Sequence, residues 1–274
     1  MTSRSDHTPS GRRETLIPHT QSLDPRVPLA KLDGSSIYRR RIRLMAESGS
    51  ASAELEDDFH HFVARIEHDG ERVTRVTGEA VRFPWTTCPG AVLPLAVLEG
   101  TVLTRDLQRL SAEVDLKSQS THLFDAATLA IALVASGRSH CVYDAEVPEP
   151  RDGVMSVRLS RDGKSLLEWR LKSFTVQTAG PLEGCLLVGS AFSEAVQSLA
   201  DPGAIEPVLV LRRAVLISMA RTFDMDQVSN PRAFAEAIGA RCHTFSEEHA
   251  SHAKRIVGAN RDFSDGPDGL LRDP

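Results

Sequence analysis

The chain has 274 residues, a net charge of −5, 41% hydrophobic and 25% charged residues, which is the balance of a soluble globular protein long enough for one large domain or two small ones. That charge lacks the basic excess expected of a nucleic-acid-binding protein. Cysteines at 88, 141, 185 and 242 form no CxxC pair, which argues against a structural zinc site and a disulfide scaffold and suits a reducing cytoplasm.

Residues 1–35 are rich in Ser, Thr, Pro and Arg without periodicity or a continuous apolar segment. They are expected to form a disordered arm and carry no targeting signal. "IYRRRIRLMAES" (37–48) predicts a strand with Tyr38, Arg40, Ile42 and Leu44 on one face. Arg39, Arg41 and Arg43 take the other face, either as a solvated edge or as a grip on a substrate carboxylate or phosphate. "DDFHHF" (57–62) is expected to lie on a strand, where His60 and His61 point to opposite faces. Asp69-Gly70 then marks a hairpin.

"FPWTTCPGAV" (83–92) ends the strands and opens a helix, with Cys88 near its cap. There the helix dipole would lower the thiol pKa, although a small buried thiol sealing the turn is the plainer expectation. "QSTHLFDAA" opens a second helix capped by Ser120 or Thr121. His122 lies in its first turn, kept neutral by the dipole, and Asp125 shares its face. The apolar run 123–137 is too short to span a membrane. A second strand block (139–181) precedes helices over "SEAVQSLADP", "AIEPVLVLRRAVLISMARTF" and "NPRAFAEAIGA". Residues 243–274 are expected to be a tail, with His249 and His252 solvated.

Aligning Asp69-Gly70 with Asp162-Gly163 suggests an internal duplication within an α+β domain over 36–242. Its two related antiparallel strand modules (37–136 and 139–242) are each followed by helices. In the second module, Met155/Val157/Leu159 and Leu167/Trp169/Leu171 share a face only across an odd-length loop, expected to be three residues. The same parity puts His60, Phe62, Ala64 and Ile66 with Thr74, Val76, Gly78 and Ala80. His60 then faces a space left by Gly78 and Ala80, either a ligand pocket or ordinary core, and His61 pairs with Thr77 or Glu79 on the far face.

His60 and His122 are therefore the candidate proton-transfer residues, with Asp58 or Asp125 orienting an imidazole and Cys88 as a reserve nucleophile. Arg39, Arg41, Arg43, Trp85 and Phe62 are the candidate substrate contacts. There is no GxGxxG after a strand, no GxxxxGK[ST], no GxSxG and no HxxxH or HExxH near these residues. No cofactor and no metal are expected.

The stretch "DDFHHFVARIEHDGERVTRVTGEAVRFPWTTCPGAVLPLAVLEG", followed by "THLFDAATLA", resembles the bacterial family called domain of unknown function 2889. The likeness covers about 37–136 and rests on the alternating hairpin, the aromatic-T-x-C-P-G-A segment and Thr-His-Leu opening a helix. Ser120 stands where that family is expected to have cysteine, which weakens a two-cysteine site with Cys88. The resemblance implies a bacterial cytoplasmic protein associated with catabolism of aromatic or steroid-like compounds, and no assigned activity. The function expected is a cofactor-independent lyase, hydrolase or isomerase acting on a small aromatic or acyl substrate. The alternatives are a non-catalytic module binding a small molecule or protein, and a metal-dependent lyase or hydrolase. Expected partners are a small-molecule substrate and, as an open alternative, a second copy of the chain, with neither nucleic acid nor membrane.

Overall fold

The computed structural model describes residues 28–30, 34–112, 114–199, 201–232 and 242–272. The expected arm and the helix over "NPRAFAEAIGA" fall mostly outside these residues. Alternating sequence produces β1 (Ile37–Glu47), β2 (Ser50–Asp57), β3 (His61–His68) and β4 (Val73–Arg82), then β5 (His140–Pro148), β6 (Val154–Arg161), β7 (Lys164–Lys172) and β8 (Thr175–Val176). They form one eight-stranded sheet in the order β4-β3-β2-β1-β5-β6-β7-β8, and every neighbouring pair is antiparallel. With helices added, the fold is α+β, as expected.

One face of the sheet is apolar. Tyr38, Ile42, Leu44, Leu55, Phe62, Ile66, Tyr143, Val157, Leu159, Trp169 and Leu171 are all buried. Over it lie α2 (Thr121–Ala135), packed on β1–β3, and α4 (Pro202–Ser218), packed on β5–β7. Shorter helices α1 (Leu107–Ala112) and α3 (Ser190–Gln197) and a 3-10 stretch, Cys88–Leu98, complete the cover. The opposite face is polar, and three arginines of β1 are paired across strands there: Arg39 with Glu146, Arg41 with Asp144 at 2.7 Å, Arg43 with Glu54 at 2.6 Å. Among the described residues, no helix is long and apolar enough to cross a membrane.

The hairpin parity predicted from sequence holds, though by another device. The β6–β7 loop has two residues, Asp162 and Gly163, both at positive φ (51° and 74°), and a bulge beside Leu159 restores the pairs Leu159–Leu167, Val157–Trp169 and Met155–Leu171. In the first hairpin Phe62 pairs with Ala80, Ala64 with Gly78 and Ile66 with Val76. A bulge there turns Thr74 outward and buries Val73 in its place.

One open alternative is decided and one expectation is corrected. The space over Gly78 holds no ligand pocket: a Cβ there would stand 3.3 Å from Leu95 Cδ1, 3.3 Å from Leu123 Cδ2 and 3.2 Å from the Val63 carbonyl. The 3-10 stretch and α2 fill it. Residues 243–272 are not a loose tail either. They bridge to Trp85 through Arg255, donate from the Arg261 amide to the Asp58 carbonyl at 2.7 Å, and donate from the Leu271 amide to the Glu56 carboxylate at 2.7 Å.

Gly78→Val is expected to overpack this junction and lower stability by about 1–3 kcal/mol, read as a drop in urea midpoint at unchanged m-value.

Candidate active site

The stretch "DDFHHF" is a turn rather than a strand. Asp57 ends β2, and its amide donates to the His60 carbonyl at 2.9 Å, which closes a hairpin around Asp58 and Phe59. Asp57 Oδ1 accepts from the amides of Phe59 and His60, each at 2.9 Å. An aspartate that caps the backbone following it stabilises a turn against the extended chain. The geometry brings Asp57 and His60 to one side and sends Asp58 and Phe59 to the other.

On the inner side the two Asp57 oxygens divide their partners. Oδ1 also accepts from His60 Nδ1 at 3.0 Å, while Oδ2 accepts from Tyr38 Oη at 2.8 Å and from Arg40 Nε and Nη2 at 3.1 and 2.9 Å. Arg40 Nη2 also donates to His122 Nδ1 at 2.6 Å. The His60 and His122 rings lie 3.7 Å apart, and Phe62 flanks both at 5.5 and 5.9 Å. Tyr38, Arg40, Asp57 and His122 are buried, and 12% of the His60 side chain remains exposed.

These contacts fix the tautomers. A carboxylate only accepts, so the His60 proton sits on Nδ1 and its lone pair on Nε2. A guanidinium only donates, so His122 offers its lone pair to Arg40 and keeps its proton on Nε2. A basic nitrogen and an N–H donor thus belong to two adjacent rings, each oriented from behind by a buried charge. Burial lowers the pKa of both imidazoles. At His60 Asp57 works against that effect, and at His122 the neighbouring His60 and Arg40 add to it. The neutrality of His122 therefore stems first from burial, not from the helix end. For Asp57 burial opposes ionisation, but His60 and Arg40 outweigh it and hold the carboxyl well below its usual range.

The other expected residues lie elsewhere. Asp58 faces away from both imidazoles, 3.3 Å from Arg221 Nε, and burial lifts its pKa to about 8. Asp125 is held by Arg213 at 2.7 Å. Cys88 lies against Thr244 at 3.4 Å, and burial pushes its thiol up to about 11, opposite to the expected activation. Trp85 packs beneath Arg255, 5.7 Å from its ring centre. Arg39, Arg41 and Arg43 lie on the far face, already committed to carboxylates. His61 pairs with Glu54 at 2.8 Å rather than with Thr77 or Glu79. His249 is bonded to Ser246 at 2.8 Å and lies 3.8 Å from the His243 ring, so it is not simply solvated. Of the expected set, the structure brings together His60, His122 and Phe62.

Sequence reasoning missed Asp57, Tyr38 and Arg40. The signal for Arg40 was its place on the inward face of β1 among apolar residues, where an arginine requires a buried acid. Asp57, His60 and His122 also offer ligand atoms within 4.8 Å of one another, a set that suits a divalent metal. Arg40 puts a fixed positive charge against two of the three. Neither a protein-family model nor a curated protein matches this sequence.

The adjacent carboxylates are expected to respond oppositely to amidation. Asp57→Asn strands the buried Arg40 charge and should cost roughly 3–5 kcal/mol at neutral pH. The stabilisation from Asp57 is complete above the unfolded carboxylate pKa of about 4 and is lost as pH falls through the lower folded value. Asp58 has a raised pKa, so its ionisation weakens the fold increasingly as pH rises from about 4 toward 8. Asp58→Asn should therefore gain stability relative to the parent between pH 5 and 8, as measured by urea midpoints at both ends of that range.

Proposed function

We propose that this chain is an enzyme that moves protons with His60 and His122, taking no cofactor, on a small aromatic or acyl substrate. The observation that carries the reading is the pair of imidazole rings 3.7 Å apart whose Nδ1 atoms face a guanidinium and a carboxylate and so set opposite tautomers. His60 Nε2 is the base, and Asp57 stabilises the imidazolium that forms when it takes a proton. His122 Nε2–H stays neutral and donates a hydrogen bond to an oxygen gaining negative charge, and Arg40 behind it opposes a second proton on that ring. A neutral donor beside an imidazole base suits removal of a proton next to a carbonyl. Within the lyase, hydrolase and isomerase classes, this favours the lyase and isomerase. Protonated His60 then returns its proton to the product or the leaving group.

The finer assignments are part of the same proposal. The two halves, β1–β4 and β5–β8, are read as copies of one module: the sheet order mirrors about the β1–β5 junction, and α2 and α4 cover the two halves of the same face. Kinship to the domain-of-unknown-function 2889 proteins rests on the "THLF" and "CPGA" stretches, the first of which supplies His122. A bacterial cytoplasmic setting fits four unpaired cysteines. The metal-dependent alternative draws on the 4.8 Å ligand set, and stoichiometric zinc or iron by elemental analysis would transfer the assignment to it.

The test is exchange of carbon-bound hydrogen in heavy water, followed by NMR over a panel of aromatic and acyl carbonyl compounds. The parent chain should wash deuterium into the position beside the carbonyl of at least one compound. His60→Gln should slow that exchange by at least about 100-fold, and His122→Gln should slow it in the same range. Equal exchange in the parent and in His60→Gln would sink the reading.

A further inference from the structure

The outer side of the same turn faces a different space. Asp58 and Phe59 line a cleft of about 690 Å³ together with Arg221, Phe223, Met225 and Asp262, a volume within the range of small-molecule sites. Most of the charged groups on its walls are satisfied by the protein. Glu149 accepts from Ser36 Oγ and, at 2.6 Å, from the Gly34 amide. Asp226 accepts from Arg255 at 2.9 Å and the Gly258 amide at 3.0 Å. Asp224 accepts from Gln227 at 2.5 Å.

Asp58 and Arg221 differ. Asp58 is 2% exposed, yet no side chain makes a hydrogen bond to either of its carboxylate oxygens among the described residues, and the Arg39 amide lowers its pKa only weakly against burial. Its closest cation is Arg221 Nε, at 3.3 Å from Oδ2. Arg221 spends Nη2 on Asp262 and Ser264, each at 3.1 Å, and its Nη1 is buried without a hydrogen-bond partner. Leaving a buried acceptor or donor unmade is unfavourable, and more so for a charged group. Two such groups of opposite sign on one cleft wall ask for a ligand that carries both complements. Phe59, Phe223, Met225 and Leu29, the last 56% exposed, add an apolar wall.

We infer that this cleft binds a small zwitterion of the α-amino-acid type with an apolar side chain, its ammonium group on Asp58 and its carboxylate on Arg221. Charge-assisted bonds to both ends supply the affinity, and the apolar wall takes the side chain. This site lies beyond the proton-transfer chemistry of His60 and stands whether or not that chemistry is found.

The experiment is calorimetric titration of the intact chain at mildly alkaline pH, where a free amino acid is still a zwitterion. The probes are L-phenylalanine, L-leucine and L-methionine, with phenethylamine and 3-phenylpropionate as the two half-molecules of the first. At least one amino acid should bind. If it is L-phenylalanine, each half-molecule should bind at least about tenfold more weakly. Asp58→Asn and Arg221→Gln should each weaken amino-acid binding at least about tenfold. Circular dichroism and a urea midpoint at or above the parent's would show that Asp58→Asn has lost a ligand contact rather than its fold. Binding of a half-molecule as tightly as L-phenylalanine overturns the inference, as does undiminished amino-acid binding in Asp58→Asn. The absence of heat with all five probes overturns it as well.

Discussion

A buried guanidinium against a buried carboxylate governs this molecule. Arg40 and Asp57 are about 1% and 0% exposed, in a place where either charge alone would be strongly unfavourable. Their pairing needs β1 and β2 in the register that sets Arg40 opposite Asp57. It also fixes the start of the turn, because Asp57 holds the amides of Phe59 and His60 with its remaining oxygen. From there the geometry spreads outward: His60 is oriented by the acid, His122 by the arginine, and α2 is seated by its own first turn. An apolar pair could have filled the same volume, but it would not have set two imidazole tautomers.

Adjacent aspartates in this turn live in opposite electrostatic surroundings. Asp57 is surrounded by donors and stays ionised, whereas Asp58 loses water with no side-chain hydrogen bond in return and holds its proton to about pH 8. Side chains at neighbouring positions commonly diverge in this way when the chain reverses between them. The turn is thus a partition: one side is closed and chemically preorganised, the other open and only partly satisfied.

Much of this was readable in the residues, and the gaps have physical causes. Period-two alternation located the strands, and hairpin parity survived although both loops use bulges, because the buried face tolerates no one-residue slip. The helix start carrying His122 was legible from its cap, and Ser120 does accept from the Leu123 amide at 3.3 Å. Which of two consecutive aspartates would face the imidazoles was not legible, since alternation fails where a side chain caps its own turn. The small residues Gly78 and Ala80 suggested a void, but Leu95 and Leu123 come from distant segments and close it. Residues 243–272 show no periodicity because they hold their place by single hydrogen bonds to the sheet's rim rather than by an apolar stripe.

Those rim contacts impose an order in time. Glu56, one residue before the turn, accepts from an amide 215 residues further along the chain, and the Asp58 carbonyl accepts from Arg261. Contacts of such separation form late, after nearer strands and helices have paid the cost of loop closure. During synthesis the hairpin and the arginine–aspartate pair can assemble early on a growing sheet. The final clamp on the turn waits for residues near 271 to leave the ribosome, so a nascent chain holds the catalytic candidates before it holds them still.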